Sequence, residues 1–205
     1  MNGLLLVGGG GHCRSCIDVI EADGRHAIRG IVDRRPAAMS DLLGYRYLGD
    51  DGMLAALLKD GCDALVTIGQ IKSADVRIRI YTLLKSLGAT LPAIASPHAH
   101  ISRHAGLEEG TVVFHGAIVN AGASVGRNCI VNSRALIEHD VTVGDHCHIS
   151  TGALVNGGCH IGGSTFVGSG AVIHNSVRIG SGCIIAAGAV VKNDVSDGTV
   201  MRVER

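Results

Sequence analysis

The chain has 205 residues, of which 46% are apolar, so it can bury a sizeable core and is not mainly disordered. Eighteen basic residues are balanced by eighteen acidic ones, which leaves no basic surface for a nucleic-acid backbone. Aromatic residues make up only 2% of the chain, so few rings are available for stacking on bases. Composition and charge therefore argue against a nucleic-acid partner.

The beginning of the chain carries no targeting or membrane signal. The apolar run at residues 4–7 is far too short to cross a bilayer, and no basic stretch precedes it. Seven cysteines, an odd number, are spread without the paired spacing of a disulfide framework or a zinc ribbon. We expect a cytoplasmic protein with free thiols and no membrane partner.

The first 92 residues alternate between strand and helix patterns, which is typical of a small parallel sheet flanked by helices. The patterns predict strands over 4–7, 27–32 and 64–68, and helices over about 12–22, 52–58 and 74–87. We expect a Rossmann-like α/β domain over residues 1–92.

Four glycines at residues 8–11 follow the first predicted strand and lead into His12 at the start of a helix. Backbone N–H groups and a helix N-terminus converge there, which suits a phosphate group. The alternative is a tight turn that needs glycine for its backbone geometry alone. Asp33, at the end of the second strand, is placed to accept a hydrogen bond from a ribose or a base. An NAD-binding loop would have a third glycine where Cys13 stands, so the pattern does not predict a dehydrogenase.

After a short connection between Pro92 and Pro97, an aliphatic residue recurs at every sixth position, which neither an α-helix nor a single strand produces. The repeat has sixteen members: Ile101, Leu107, Val113, Val119, Val125, Val131, Ile137, Val143, Ile149, Val155, Ile161, Val167, Ile173, Ile179, Ile185 and Val191. Four residues after each member lies a small or β-branched residue, from Ala105 to Val195. The pattern predicts a solenoid of short strands over residues 98–205, with three six-residue sides making a coil of about eighteen residues.

Four cysteines, Cys129, Cys147, Cys159 and Cys183, occupy the small inward position of this repeat. We expect them to act as small core side chains.

Nine of the eleven histidines follow Pro97, and most of them are expected to be solvated. His139 stands out because Glu138 and Asp140 flank it and could orient its ring and support the imidazolium. We expect His139 to act as a general base. Two histidine pairs are spaced two residues apart, but no third ligand supports a metal site, so we expect no metal.

The glycine loop ending in Gly-His, the aspartate after the second strand, the Ile-Gly at residues 68–69 and the Ile-Glu-His-Asp at residues 137–140 occur together in this chain. This combination resembles the hexapeptide-repeat sugar acetyltransferases, in the branch of sialic acid O-acetyltransferases and UDP-4-amino-sugar N-acetyltransferases of bacterial glycan synthesis. The resemblance covers almost the whole chain. It implies that the solenoid is a left-handed parallel β-helix carrying the acetyltransferase activity, with acetyl-CoA as co-substrate.

The resemblance also implies a role for individual residues. His139 would be the catalytic base assisted by Asp140, and His148 would lie by the acetyl-CoA thioester. The pantetheine would be lined by Gly157, Gly168, Ser169, Ala187 and Gly188. The nucleotide sugar would lie on Gly9, Gly10, Gly11, His12, Asp33, Ile68 and Gly69. A homotrimer is implied, with acetyl-CoA in the groove between neighbouring β-helices.

We therefore expect N-acetylation of a nucleotide-linked 4-amino sugar, with UDP as the expected nucleotide. O-acetylation of a sialic or other nonulosonic acid is the first alternative, because an amine and a hydroxyl need the same base. A noncatalytic β-helix scaffold is the second. Relatives usually carry asparagine after the Ile-Gly, whereas this chain has Gln70 and what looks like a small insertion before Arg77.

Overall fold

A computed structural model describes residues 3–33 and 41–203. The N-terminal part is a mixed α/β unit. Its elements are β1 (Gly3–Val7), α1 (Gly11–Asp23), β2 (Ala27–Val32), β3 (Asp41–Leu42), β4 (Tyr45–Gly49), a 3-10 helix (Asp51–Met53), α2 (Leu54–Lys59), β5 (Asp63–Val66) and α3 (Asp75–Ser86). The strand order is β3-β4-β2-β1-β5, and only the β3–β4 pair is antiparallel. The predicted parallel sheet with flanking helices is confirmed.

Two differences from the predicted elements have local causes. Strands β3 and β4 lie outside the predicted elements, because β3 has only two residues and the five residues of β4 are half-buried or exposed without a strict alternation. The helix predicted over 52–58 begins later, at Leu54, because a 3-10 turn precedes it. The Asp50 side chain accepts a hydrogen bond from Gly52 N and so caps that turn.

The C-terminal part is a parallel β-helix whose cross-section has three sides. Its strands are β6 (Ile94–Ala95), β7 (His100–Ile101), β8 (Gly106–Leu107), β9 (Val112–Val113), β10 (Ile118–Val119), β11 (Ser124–Val125), β12 (Ile130–Val131), β13 (Leu136–Ile137), β14 (Thr142–Val143), β15 (His148–Ile149), β16 (Leu154–Val155), β17 (His160–Ile161), β18 (Phe166–Val167), β19 (Val172–Ile173), β20 (Arg178–Ile179), β21 (Ile184–Ile185), β22 (Val190–Val191) and β23 (Val200–Met201). Side 1 contains β7, β10, β13, β16, β19 and β22; side 2 contains β8, β11, β14, β17 and β20; and side 3 contains the remaining strands.

The six-residue repeat sets this architecture. Each of the sixteen predicted aliphatic residues is the second residue of a strand, from β7 to β22. Ile118 pairs with Leu136, and Val119 with Ile137, so one coil takes the eighteen residues that the repeat predicts. The aliphatic residues stack with the small residues in one continuous core. At the corners, the third residue after each aliphatic member has a left-handed backbone from Gly110 to Gly188, whether or not it is glycine.

The inward cysteines are buried, as predicted, and they also form hydrogen bonds. In one column of the core, Cys129 Sγ donates to Gly144 O over 3.1 Å and Cys147 Sγ donates to Gly162 O over 3.1 Å. Thr165 Oγ1 donates in the same way to Gly180 O over 2.8 Å. These side chains therefore satisfy corner carbonyls that would otherwise be buried without a donor.

Side 3 joins the two parts of the molecule. Its outward residues Val112 and Ile130 and the adjacent Phe114 pack in one buried cluster with Cys13 and Ile17 of α1. The first strand of the β-helix, β6, lies inside the segment expected to be a connection and pairs with β9. Because α1 packs against side 3, the loop at its N-terminus is brought against the β-helix.

Candidate active site

His139 and Asp140 lie at the corner that follows β13 on side 1. His139 Nδ1 is 2.9 Å from Asp140 Oδ2. Both side chains are open to solvent, with 63% of His139 and 72% of Asp140 exposed. The hydrogen bond that Nδ1 donates to Asp140 is the main cause that raises the pKa of His139 above its ordinary value. Asp140 occupies one of the left-handed corner positions, with φ of 59°.

Two glycines in the adjoining coils make room for this pair. A Cβ atom added at Gly157 would lie 2.6 Å from His139 Nε2 and 2.7 Å from its Cε1. A Cβ atom added at Gly122 would collide with Asp140 Oδ1. Gly122 lies eighteen residues, or one coil, before Asp140, and Gly157 lies one coil after His139. We call Gly122 and Gly157 the glycine seats, because the carboxylate of Asp140 and the imidazole of His139 occupy the space that side chains at these two positions would fill.

A second feature is a cavity of about 740 Å³ between the α/β unit and the β-helix. All seven residues expected to bind the nucleotide sugar line it. They are joined by Gly8, Thr67, Gln70, Ile71 and His148. The residues come from the ends of β1, β2 and β5 and from strand β15, so packing of the two parts creates the cavity.

The glycines of the loop after β1 serve different purposes. Gly8 has φ of 112°, so its backbone needs glycine, and a Cβ at Gly9 would lie 2.6 Å from Tyr47 Cε1. At Gly10 and Gly11, by contrast, an added Cβ would meet no atom of the described residues within 4 Å, and neither has a left-handed backbone. Turn geometry alone therefore accounts for Gly8 but not for Gly10 and Gly11, which open onto the cavity where α1 begins. Asp33 Oδ2 steadies this loop by accepting a hydrogen bond from Gly9 N over 2.7 Å.

His148 is buried on the cavity wall, unlike the solvated histidines expected for most of the β-helix. Its Nδ1 is 2.7 Å from Gln70 O, which can only accept, so Nδ1 carries the hydrogen. Its Nε2 then accepts from Asn132 Nδ2 over 3.1 Å. Burial lowers the pKa of His148 to about 4, so the ring is neutral at pH 7. With both nitrogens occupied, His148 has no spare N–H with which to stabilise an oxyanion.

His12 lies on the same wall. Burial, together with the nearby charge of Arg77, lowers the pKa of His12 to about 3. Its Nε2 atom is buried and has no hydrogen-bond partner among the described residues. The ring lies 5.4 Å from the ring of Phe114 at a tilted angle. His12 is therefore a neutral side chain on the cavity wall with one buried polar atom that no described residue satisfies.

Arg77, on α3, is fully buried behind this wall. Its guanidinium donates to Ile68 O and, over 2.8 Å, to both Asn128 O and Asn128 Oδ1. None of these acceptors is a carboxylate, so the charge is solvated by neutral oxygens and makes the neighbouring cavity favourable for an anion. Arg77 also ties the end of β5 to the β-helix.

The residues expected to bind acetyl-CoA fall into separate groups. Gly168, Ser169, Ala187 and Gly188 lie together at the corners between sides 3 and 1, where Gly188 N donates to Ser169 O over 2.9 Å. Gly157 lies at the opposite edge of side 1, beside His139. The structure thus brings Gly157 beside His139, the other four to the far edge of side 1, and His148 to the cavity.

Gln70, Asn132 and Arg77 contribute to the site without having been assigned a role from the sequence. Arg77 contacts Asn128, which lies 51 positions away, and Gln70 contacts His148, which lies still farther along the chain. Asn132 acts through His148 and so depends on the second of these contacts. No local spacing in the sequence could therefore reveal the three residues. Over residues 3–33 and 41–203, no helix is long and apolar enough to cross a membrane. In the same residues, no group of three or more His, Cys, Asp or Glu side chains is arranged to hold a metal ion.

Comparison with known proteins bears on both halves of the chain. The family model described as PglD N-terminal domain matches residues 3–84. The model described as bacterial transferase hexapeptide (six repeats) matches residues 122–157 and 158–193. No curated protein sequence matches the chain.

Several solved structures are similar over nearly their whole length. A histidine-to-asparagine mutant of perosamine N-acetyltransferase from Caulobacter crescentus, in complex with CoA and GDP-perosamine, is 31% identical, with a TM-score of 0.90 and coverage of 96% of this chain and 91% of that one. The acetyltransferase domain of PglB from Neisseria gonorrhoeae, in complex with acetyl coenzyme A, is 30% identical, with a TM-score of 0.90 and coverage of 97% and 95%. WeeI from Acinetobacter baumannii, at 19% identity and a TM-score of 0.78, shares the fold.

Proposed function

The chain belongs to the PglD-type family of hexapeptide-repeat sugar N-acetyltransferases, and from this membership we propose that it transfers the acetyl group of acetyl-CoA to the amino group of a sugar linked to a nucleoside diphosphate. The observation that carries the proposal is the presence, in one chain, of a solvent-open histidine–aspartate dyad and of a cavity that suits a phosphate-bearing ligand. A 4-amino sugar on UDP is the first candidate, and the relative solved with GDP-perosamine makes GDP the second nucleotide to test.

His139 is proposed as the general base. Because Asp140 accepts the hydrogen bond from Nδ1–H, the lone pair of the neutral ring is on Nε2. His139 Nε2 removes a proton from the sugar amine as its nitrogen attacks the thioester carbonyl carbon, and returns that proton to the sulfur when the C–S bond breaks. Asp140 stabilises the imidazolium between these steps. Because His148 has no spare N–H, we assign stabilisation of the oxyanion to backbone N–H groups of the corners.

The cavity is proposed as the nucleotide-sugar site. Gly10 and Gly11 let a phosphate group approach the backbone at the start of α1, a helix of thirteen residues whose first turn has no side-chain cap. The buried charge of Arg77 favours the anionic diphosphate. Asp33 is proposed to contact the ribose or the base. These assignments give each of the predicted residues of the loop a physical task.

Acetyl-CoA is proposed to bind between neighbouring copies of the chain in a homotrimer. Side 1 presents a row of aliphatic side chains outward, and Ile118, Leu154 and Val190 are 38%, 36% and 52% exposed. Such a row is suited to burial against another protein surface. Gly157 lies at one edge of side 1, and Gly168, Ser169, Ala187 and Gly188 lie at the other. A second copy packed on this side would therefore bring the edge of one chain beside the edge of another.

The test is a matrix of acetyl-CoA consumption against UDP- and GDP-linked 4-amino sugars and free nonulosonic acids, read by thiol release and by the mass of the product. N-acetylation of a nucleotide-linked sugar supports the proposal, whereas acetylation confined to the free nonulosonic acids overturns it. His139→Ala is expected to lower turnover roughly 10²–10⁴-fold. If this variant keeps more than a tenth of the activity, another group is the base. Light scattering tests the trimer, and a monomeric mass at micromolar concentration contradicts it.

A further inference from the structure

Gln70 lines the cavity and carries a buried amide oxygen that no described residue satisfies. The residue is only 3% exposed, and its Oε1 has no hydrogen-bond partner among the described residues. Native proteins rarely leave such an acceptor unpaired, and each exception calls for an explanation such as a bound water, an ion or a functional role. Because Gln70 lines the cavity, a group bound there is the candidate partner of its side-chain amide.

The loop that carries Gln70 is held in place by the β-helix. His148 Nδ1 donates to the main-chain oxygen of Gln70 over 2.7 Å, and Asn132 holds the other side of the His148 ring. On the α/β side, a Cβ at Gly69 would lie 3.4 Å from His12 Cβ, so this loop also packs against the start of α1. Gln70 is therefore a preorganised group, fixed from both halves of the chain.

The strand order shows which part of a nucleotide sugar Gln70 would meet. Strand β1, which ends in the glycine loop, lies between β2 and β5. Asp33 follows β2 and Gln70 lies beyond β5, so the two residues flank the loop on opposite sides. With the diphosphate on the loop and the nucleoside toward Asp33, the sugar extends toward Gln70, His12 and the β-helix.

We propose that Gln70 is a specificity-determining residue that accepts a hydrogen bond from a hydroxyl or amino group of the sugar ring. The proposal rests on the proposed function, since it takes the ligand to be a nucleotide sugar. A sugar that lacks a donor at the matching position leaves Oε1 unpaired and is discriminated against, because an unsatisfied buried acceptor is costly. Gln70 acts on recognition of the sugar and not on proton transfer.

The test compares two ligands that differ only by the sugar. Calorimetry gives the Kd of the nucleotide amino sugar identified in the matrix above and of the corresponding nucleoside diphosphate, for the wild-type protein and for Gln70→Met. We expect Gln70→Met to weaken binding of the nucleotide sugar about 3- to 20-fold and to leave the Kd of the nucleoside diphosphate within twofold. The KM of the sugar should rise by a similar factor, while kcat changes little.

Two further variants guard the interpretation. Lys72→Met is the control, because it places the same side chain at an exposed position of the same loop and should not change the ratio of the two Kd values. Gln70→Asn keeps the amide but withdraws it by one methylene, so it should reproduce the selective loss even if Gln70→Met proves poorly folded.

Equal weakening of both ligands by the Gln70 variants shows that the residue reads the nucleoside or the diphosphate and overturns the proposal. Unchanged binding of both ligands also overturns it. A wild-type protein that binds no nucleotide sugar refutes the proposed function instead, so the two failures are distinguishable.

Discussion

Gly157→Ala tests whether Gly157, one of the glycine seats, positions His139, the proposed catalytic base. The new methyl carbon would lie 2.6 Å from His139 Nε2, whereas ordinary contacts begin at 3.4 Å. The imidazole must therefore shift by about 1 Å or swing out, and a misplacement of that size costs on the order of 100-fold in rate. The backbone of Gly157 is not left-handed, so the substitution adds no conformational strain. Since 63% of the His139 side chain is exposed, the free energy of unfolding should change by less than about 1 kcal/mol.

The assay separates positioning from binding. We expect kcat to fall by roughly 10- to 1000-fold in Gly157→Ala. The pKa of His139, followed by NMR, should move down toward the ordinary value because the displaced ring loses its hydrogen bond to Asp140. Gly106→Ala is the matched control, since Gly106 lies in the same β-helix and an added Cβ there meets nothing within 4 Å. Wild-type turnover in Gly157→Ala, or a loss confined to the Kd of acetyl-CoA, would refute the role of Gly157 as a seat.

Three more predictions concern titration and packing. Asp140→Asn removes the main cause of the raised pKa of His139, so the rising limb of kcat against pH should move to lower pH while the plateau falls; a limb that stays in place would contradict this. Folding lowers the pKa of His148 from 6.5 to about 4, so stability of about 3 kcal/mol should be lost as the pH falls from 6.5 to 4, and urea unfolding of His148→Gln should lack that loss. Cys147→Val leaves Gly162 O without a donor, whereas Cys147→Thr keeps one. The free energy of unfolding should therefore be about 1–3 kcal/mol lower for Cys147→Val than for Cys147→Thr. Equal urea midpoints with equal slopes for the two variants would rule out that hydrogen bond as a source of stability.

The β-helix could be predicted almost strand by strand because one spatial rule repeats in the sequence. An inward aliphatic residue every six positions marks each side of each coil, and all sixteen marks coincide with strands. The terminal strands β6 and β23 were missed. β6 is bracketed by Pro92 and Pro97, which read as the limits of a connection, and β23 follows an interruption of the repeat. The rule weakens at the ends, where a coil has a neighbour on only one side.

The candidate site was less accessible to sequence reasoning, because it depends on contacts between the two halves of the chain. The glycine loop, His12 and Asp33 follow strands that can be located from hydrophobic patterns, and they do line one cavity. By contrast, the contact between Gln70 and His148 spans 78 residues, and the buried bridge from Arg77 to Asn128 spans 51. Neither has a local signature. The flanking carboxylates did draw attention to His139, but the resemblance that placed His148 at the thioester gave no hint of its burial beside Gln70.

The glycine seats limit how this protein could have changed during evolution. Gly122, the dyad and Gly157 occupy three successive coils, and each depends on the register with the next. Gain or loss of a whole coil elsewhere in the β-helix would lengthen or shorten the molecule and leave this stack intact. An insertion of one residue between Asp140 and Gly157 would rotate the following coils and put a side chain beneath the imidazole. A whole coil can therefore be added or removed without disturbing this stack only outside the segment from residue 122 to residue 157.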